Sequence, residues 1–149
     1  MTRLETDGAE LLGIGAAAAQ AGVSERALRY YQQIGLLVPA CTPGGLRRYS
    51  ADDLARVARI RELQTLLGLN LDEIAVVLRN EDRIAQIRLS YHDERTSEDQ
   101  RRRLTRECLD LAEDLRATVQ AKRDALDAFL ADLDSRIRKA QALLAGSPA

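Results

Sequence analysis

The sequence predicts a mainly α-helical protein, with a small helical domain that carries a β-hairpin and one long helix after it. Leu and Ala must supply most of the core, because the chain of 149 residues is 46% hydrophobic with one Phe and no Trp. That composition favours helices over sheets. Pro39, Pro43, Gly44 and Gly45 interrupt the helical pattern in one place. From residue 97 to residue 144 there is neither Pro nor Gly.

The first two helices are predicted to form a helix-turn-helix. The stretch "IGAAAAQAGV" is a short Ala-rich helix that ends at Gly22, where glycine can adopt the left-handed conformation. Ser24 is a suitable N-cap for the next helix, and Gly35 ends it. Two short helices joined by a tight turn make this motif.

A hairpin and two further helices are predicted to complete the domain. Residues 36–38 and 46–49 can pair as short strands around the Pro and Gly residues, which makes a wing with a basic second arm. Ser50 then caps a helix. Its apolar stripe is expected to contain Leu54, Val57, Ala58, Ile60 and Leu63, and that of the following short helix Leu71, Ile74, Ala75 and Leu78.

The last third of the chain is predicted to be a helix that pairs with a second copy. Apolar residues recur there at steps of three or four over roughly 45 residues, or about 70 Å. Such a helix has almost nothing in its own chain to pack against, so we expect it to pair with a second copy, antiparallel or parallel, as a coiled-coil homodimer. The expected dimerisation residues are Cys108, Leu111, Leu115, Val119, Leu126, Phe129, Leu133 and Ile137, with Lys122 on the same stripe.

The predicted organisation therefore has five parts. Residues 1–12 form a flexible extension, 13–80 a winged helix-turn-helix domain, 81–96 a helical linker, 97–144 the dimerisation helix and 145–149 a tail. The fold class is mainly α, a winged helix-turn-helix followed by a long coiled-coil helix.

Charge is distributed unevenly between these parts. Residues 13–66 contain seven Arg and four acidic side chains, whereas residues 80–149 contain 13 basic and 14 acidic ones. Binding to a polyanion is therefore expected in the first part. On the second helix, Leu28 and Tyr31 are expected to face inward, which leaves Arg26, Arg29 and Tyr30 outward.

Those outward side chains suit DNA, because Arg and Tyr both donate hydrogen bonds to phosphate and Arg also reads guanine. Arg47, Arg48 and Tyr49 on the wing arm are expected to bind phosphate as well. The alternative is that both tyrosines are half-buried and the arginines are solvated surface charges, as expected for Arg56 and Arg59.

Other classes of site have little support in the sequence. Cys41 and Cys108 stand far apart and His92 is the single histidine, so no metal site or cofactor is expected. No catalytic motif is present, which argues against an enzyme. There is no signal-peptide pattern and no apolar run of about 18 residues, so a cytoplasmic protein that does not enter the membrane is expected.

Residues 14–74, "IGAAAAQAGVSERALRYYQQIGLLVPACTPGGLRRYSADDLARVARIRELQTLLGLNLDEI", resemble the DNA-binding domain of MerR-family transcriptional regulators. The motifs that carry the resemblance are "AGVS", "LRYY", "GLL.P" and "LG..LDEI", with "G.R.Y" in modified form. The resemblance implies that residues 97–144 form an antiparallel dimerisation helix. It also implies that the dimer binds pseudo-palindromic promoter DNA, whose conformation the protein alters so that RNA polymerase, a candidate partner, can use the promoter.

By position, the resemblance implies phosphate contacts from Arg29, Tyr30, Arg47 and Tyr49. It places Ser24, Glu25 and Arg26 at the helix turn where base edges are usually read. The chain departs from the family at Ala27, Gln32, Cys41 and Leu46, with Arg48 a substitute for an Arg missing from the wing. The Cys clusters and appended domains of metal-, redox- and drug-sensing members have no counterpart in this sequence.

Two other functions remain open at the level of sequence. One is an architectural protein that bends DNA without an effector. The other is an adaptor whose coiled coil binds a different protein. Genome-wide occupancy separates a regulator from an architectural protein, and loss of all DNA affinity alongside a copurifying partner would favour the adaptor.

Overall fold

The computed structural model describes residues 10–146 and contains five helices and a two-stranded hairpin within them. The helices are α1 (Ile14–Ala21), α2 (Glu25–Gln33), α3 (Ala51–Leu67), α4 (Leu71–Tyr91) and α5 (Glu98–Ala145). The strands are β1 (Ala40–Cys41) and β2 (Arg47–Arg48). The chain forms two compact units that divide between Leu78 and Arg79. The predicted fold class is confirmed.

The helix-turn-helix forms through the predicted caps. Gly22 has φ 66°, and its N–H donates to the Ala19 carbonyl at 3.3 Å. Ser24 Oγ accepts from the Ala27 N–H at 3.0 Å and starts α2. Arg61 on α3 donates from Nη1 to the Gly22 carbonyl at 3.0 Å, which ties the turn to the third helix.

The wing begins later than the sequence suggested. Ala40 lies opposite Arg48 and Cys41 opposite Arg47, so the prediction of a strand at residues 36–38 is wrong. Leu36 and Leu37 are buried instead, and both backbone N–H groups donate to the Tyr31 carbonyl. Because these two residues close the end of α2 and fill the core, strand pairing starts only after Pro39.

A third segment extends the hairpin. Leu12 and Tyr49 exchange two backbone hydrogen bonds, at 2.9 and 2.8 Å. The expected flexible extension over residues 1–12 is therefore wrong at Leu12, which belongs to the fold. Residues 1–9 lie outside the described part of the chain, as do residues 147–149 of the expected tail.

The apolar stripes of α3 and α4 differ from the prediction at Ala58 and Val77. The fully buried side chains of the first unit include Leu28, Leu37, Tyr49, Val57, Ile60, Leu63, Ile74 and Val77. Ala58, predicted to face inward, is exposed, because steps of three between Val57, Ile60 and Leu63 leave it about 100° off the stripe. Val77 was not predicted as a core residue.

Helix α4 crosses the boundary expected near residue 80. Asn70 and Glu73 exchange side-chain to backbone hydrogen bonds, both 2.9 Å long, and start the helix. It then continues for 21 residues to Tyr91. The short helix and separate linker of the prediction are thus one element up to residue 91, because no Pro or Gly lies between residues 71 and 91.

Helix α5 begins where predicted. Ser97 accepts from the Gln100 N–H, and the Gln100 side chain accepts from the Ser97 N–H. The helix has 48 residues, which corresponds to about 72 Å, and none of them is buried. Across residues 10–146, no helix is both long enough and apolar enough to cross a membrane.

Truncation of Ile60 tests this core. Ile60→Ala should lower the free energy of unfolding by about 2–5 kcal/mol, because Ile60 is fully buried and the lost side chain leaves a cavity. Denaturant unfolding followed by circular dichroism measures the change. Leu66→Ala on the same helix is the control and should cost less than about 1 kcal/mol, since Leu66 is 73% exposed. Equal effects from the two variants would contradict this core.

Candidate nucleic-acid interface

Helix α2 presents one apolar face and one polar face. Leu28 is fully buried and Tyr31 is 6% exposed, whereas Tyr30 is 47% exposed. The predicted separation of the adjacent tyrosines is therefore confirmed. Burial raises the pKa of the Tyr31 hydroxyl, and the nearby positive charge of Arg61 only partly opposes this effect.

Arg29 lies on the exposed face of α2. Its guanidinium contacts Glu25 one turn earlier at 3.3 Å, and the two side chains are 65% and 47% exposed. An ion pair this exposed contributes little stability. A phosphate can therefore compete with Glu25 for Arg29 at small cost.

The other residues expected at the start of α2 have different environments. Ser24 and Arg26 are exposed, as is Glu25. The Ser24 oxygen accepts the capping hydrogen bond, so that atom has a structural role. Arg26 is the exposed cation in the first turn of α2. The N-terminal end of such a helix is the end that contacts base edges in helix-turn-helix proteins.

Three arginines line one cavity between α2 and the wing. The cavity has a volume of about 490 Å³, and its lining includes Arg29 from α2 and Arg47 and Arg48 from β2. Gly13, Gly45 and Leu46 contribute to the same wall. Strand pairing sets the position of Arg47 opposite Cys41, and Gly45, with φ 83°, makes the turn that returns the chain. The arrangement can hold an anion such as a DNA phosphate.

Tyr49 forms the floor of this cavity. It is fully buried, and its hydroxyl accepts a hydrogen bond from the Gln32 side-chain amide. Burial raises the pKa of the Tyr49 hydroxyl, more than the Gln32 hydrogen bond and the charge of Arg47 lower it, so the group stays protonated. The expectation that Tyr49 touches phosphate directly does not fit this position. It instead holds the wing against α2.

Gln32 is a residue whose role the sequence did not reveal. It is half-buried on α2 and connects this helix to Tyr49 of the wing. The signal that could have found it is its spacing, three residues after Arg29 on the same side of a helix. It lines the cavity together with the three arginines.

Arg56 was expected to be an ordinary surface charge, and this expectation is wrong. Its Nε donates to the Leu36 carbonyl at 2.6 Å in a partly buried position. The carbonyl belongs to the segment that closes α2, so Arg56 stabilises the end of that helix. Arg59 does pair on the surface, with Glu62 at 2.7 Å.

The cysteines and the histidine show no metal-binding arrangement. Cys41 is exposed on β1 and Cys108 is half-buried on α5, and both are free thiols. His92 packs edge-on against the Tyr91 ring. Within residues 10–146, no three His, Cys, Asp or Glu side chains lie close enough together to hold a metal ion.

The expected dimerisation residues all lie on α5, and each of them is half-buried or exposed in the single chain. Leu126, Phe129 and Ile137 are 63%, 60% and 53% exposed. The other members are half-buried: Cys108, Leu111, Leu115, Val119 and Leu133. Nothing within residues 10–146 covers this face fully.

A family model matches most of the first unit. Residues 12–81 match the model of the MerR HTH family regulatory protein. Over 74 residues the chain is 46% identical to the mercuric resistance operon regulatory protein of Pseudomonas fluorescens. That alignment covers 49% of this chain and 51% of the relative, so the chain spans about half the length of the relatives it matches.

Two solved structures share the fold over most of the chain. A MerR-family transcriptional regulator from Bacillus cereus is 28% identical with a TM-score of 0.51, over 89% of this chain and 84% of that protein. HiNmlR, a MerR-family regulator that lacks the sensor domain and was solved bound to promoter DNA, is 23% identical with a TM-score of 0.51. The match covers 92% of this chain and 95% of HiNmlR and shows likeness of fold.

Proposed function

We propose that this chain, whose residues 12–81 are a MerR-family helix-turn-helix domain, is a DNA-binding transcriptional regulator. It binds a pseudo-palindromic promoter as a homodimer and alters the conformation of the DNA. The observation that carries the proposal is the convergence of Arg29, Arg47 and Arg48 on one cavity between the second helix and the wing. Relatives that match this domain are named as regulators rather than enzymes, which fits a non-catalytic role.

The cationic cavity supports contact with the DNA backbone. Phosphate oxygens accept hydrogen bonds from guanidinium groups in a fixed geometry, and such contacts set the orientation of the protein on the duplex. Tyr30 is exposed next to Arg29, where its hydroxyl can donate to a neighbouring phosphate. Arg26 at the first turn of α2 is then the side chain placed to reach a base edge.

The uncovered stripe of α5 supports a dimer. Leu126, Phe129 and Ile137 on this 48-residue helix are each more than half exposed, and a second copy can cover them. A two-fold symmetric dimer presents two identical reading helices, which match two inverted half-sites. Distortion of the DNA between those half-sites would change how RNA polymerase engages the promoter.

Selection from a pool of random duplex DNA tests the proposal. Bound sequences should contain two inverted half-sites at constant spacing, and their matches in the host genome should fall in a handful of promoters. Enrichment without any sequence preference would favour an architectural protein, and no enrichment at all would contradict DNA binding.

Substitution of Gln32 tests whether its hydrogen bond to Tyr49 positions the wing for DNA binding. Gln32→Leu removes the donor to Tyr49 and should weaken binding of the selected DNA about threefold to tenfold, the value of one hydrogen bond. Gln32→Glu keeps a partner for the Tyr49 hydroxyl, which can donate to the carboxylate. It also adds a negative charge to the cavity that Arg29, Arg47 and Arg48 line, so its affinity should fall more than that of Gln32→Leu. Fluorescence anisotropy at constant salt concentration measures both.

The dependence of DNA affinity on salt concentration distinguishes a role of Gln32 in positioning the wing from a general loss of protein stability. If Gln32 positions Arg47 and Arg48, Gln32→Leu should also flatten the dependence of affinity on salt concentration while the unfolding temperature changes little. A Gln32→Leu variant with unchanged affinity and an unchanged salt dependence would contradict a positioning role for this hydrogen bond.

A further inference from the structure

A second cavity, here called the α4–α5 cavity, lies between the end of α4 and the N-terminal part of α5. Its volume is about 520 Å³, which is within the range of small-molecule sites. Its lining consists of Tyr91, Glu98, Arg101, Arg102, Thr105, Arg106, Leu109 and Asp110. All of these residues belong to the second unit, so the α4–α5 cavity shares no residue with the cavity beside the wing.

Arg101 is held in place at the wall of this cavity. Its Nε donates to the Tyr91 carbonyl at 3.2 Å, and its guanidinium lies over the Tyr91 ring, 5.8 Å from the ring centre. The two terminal nitrogens of Arg101 make no hydrogen bond within residues 10–146. A guanidinium that is already oriented loses less conformational freedom when it binds an anion.

Arg102 and Arg106 are two exposed cations without an acidic partner. They stand one turn apart on α5, a spacing at which like charges weaken a helix. Further along α5, Arg136 pairs with Asp132 at 2.8 Å, whereas neither Arg102 nor Arg106 forms an ion pair within residues 10–146. Both guanidinium groups are therefore available to an external anion.

The cavity also presents apolar surface beside these charges. Leu109 is 56% exposed and Tyr91 is 40% exposed. A leucine side chain and a tyrosine ring can pack against a small apolar group, whereas the sugar-phosphate backbone of DNA would leave them uncovered. The lining therefore favours a compact ligand with both an anionic and an apolar part.

The two carboxylates of the lining lie at its ends. Glu98 and Asp110 are 12 residues apart on α5, or about 18 Å along the helix axis, and Arg102 and Arg106 lie between them. With Arg101, three guanidinium groups and two carboxylates line the cavity, so its net charge is 3 − 2 = +1. An anion is therefore favoured in the middle of the cavity and disfavoured at its ends.

We propose that the α4–α5 cavity binds an organic phosphate monoester whose apolar part is about the size of one aromatic ring. Three guanidinium groups match the three terminal oxygens and the double negative charge of such a phosphate better than they match a carboxylate. In this arrangement Arg102 and Arg106 hold the phosphate, and the apolar group packs against Leu109. The inference goes beyond the proposed function, because neither DNA nor a second copy takes part in the site.

The expected dimer interface leaves this site open. At 3.6 residues per turn, Arg102 and Arg106 project about 120° and 160° away from Cys108, which lies on the apolar stripe. A second copy that covers the stripe would therefore not cover these two arginines.

Titration of the full-length protein with phenyl phosphate tests the site. We expect saturable binding that shifts the backbone amide resonances of residues 101–109 in proton–nitrogen NMR spectra. Inorganic phosphate should bind at least about tenfold more weakly, because it lacks the ring that would cover Leu109 and Tyr91. Absence of binding at about 10 mM phenyl phosphate would overturn the proposal.

Arg102→Ala should weaken phenyl phosphate binding about tenfold, because a charged hydrogen-bond donor to the phosphate is lost. Arg102→Lys retains the charge without the planar fork and should recover part of the affinity. The matched control is Arg138→Ala, which removes another exposed arginine of α5 that does not line the cavity. It should leave the affinity within about twofold, and an equal loss in Arg102→Ala and Arg138→Ala would overturn the site.

Asp110→Asn should change the affinity in the opposite direction. It removes a negative charge from one end of the cavity and should tighten phenyl phosphate binding about twofold to threefold. The same titration measures this change. A lower affinity in Asp110→Asn would count against a phosphate bound in this cavity.

The wing needs its own control, because it also carries arginines. In Arg47→Ala with Arg48→Ala, phenyl phosphate should bind with unchanged affinity and shift the resonances of residues 101–109. Loss of binding in that variant would overturn the site, as would an Arg102→Ala variant that binds DNA with lower affinity and a smaller salt slope. A protein that binds phenyl phosphate and no DNA would contradict only the proposed function, whereas one that binds DNA and no phenyl phosphate would overturn only this site.

Discussion

Leu115→Asp is expected to produce a monomer and to weaken binding to a two-half-site DNA by at least about 100-fold. Leu115 belongs to the apolar stripe of α5, and in the proposed homodimer a carboxylate there would be buried against the partner without a counter-charge. A monomer loses the second half-site, and with it the gain from binding both at once. Sedimentation velocity measures the assembly, and fluorescence anisotropy measures the affinity.

Ala117→Asp is the matched control for this variant. It introduces the same charge two residues further along α5, on the exposed side away from the stripe. We expect dimerisation and DNA affinity within about twofold of the unmodified protein, because surface substitutions usually change little. A dimer that tolerates Leu115→Asp, or that is equally sensitive to Ala117→Asp, would show that the stripe is not the interface.

Replacing both wing arginines should have the second large effect. Arg47→Ala with Arg48→Ala removes two of the three cations that line the cavity. Each charge-assisted hydrogen bond to phosphate contributes about 1.5–3 kcal/mol, so the pair should cost about 100-fold or more in affinity at low salt. The slope of log affinity against log salt concentration should fall by about two for each protomer, since about one counterion is released per phosphate.

The control for the wing is an exposed arginine in the second unit. Arg95→Ala removes the same charge from a side chain that is 92% exposed and contacts Asp93. Neither the affinity nor the salt slope should change measurably. A salt slope that stays the same in the double wing variant would mean that Arg47 and Arg48 do not contact phosphate, whatever happens to the affinity.

Helix α2 is the part of the candidate site that the sequence predicted best. The spacing of Leu28 and Tyr31 placed them inward, and the structure buries both. The prediction works because helical geometry alone separates Tyr30 from Tyr31 by about 100°. The same local geometry predicted the caps at Ser24, Ser50 and Ser97, whose side chains accept from backbone N–H groups three residues later.

The wing was predicted less well, because its side chains depend on contacts distant in sequence. Tyr49 looked like a phosphate ligand beside two arginines, yet it is buried and accepts a hydrogen bond from Gln32, 17 residues earlier. Arg56 looked like a surface charge, yet it donates to the Leu36 carbonyl, 20 residues earlier. No pattern of nearby residues indicates either partner.

The sequence by itself determined the helices, their caps, the two faces of α2 and the apolar stripe of α5. Each of these follows from periodicity and from the conformational preferences of residues within a few positions of one another. Only the tertiary structure decided where β1 begins, that Leu12 joins the hairpin, and that Arg29, Arg47 and Arg48 line one cavity with Tyr49 as its floor. These features depend on contacts between backbone groups and buried surfaces that are distant in the sequence. The spacing of neighbouring residues does not predict such contacts.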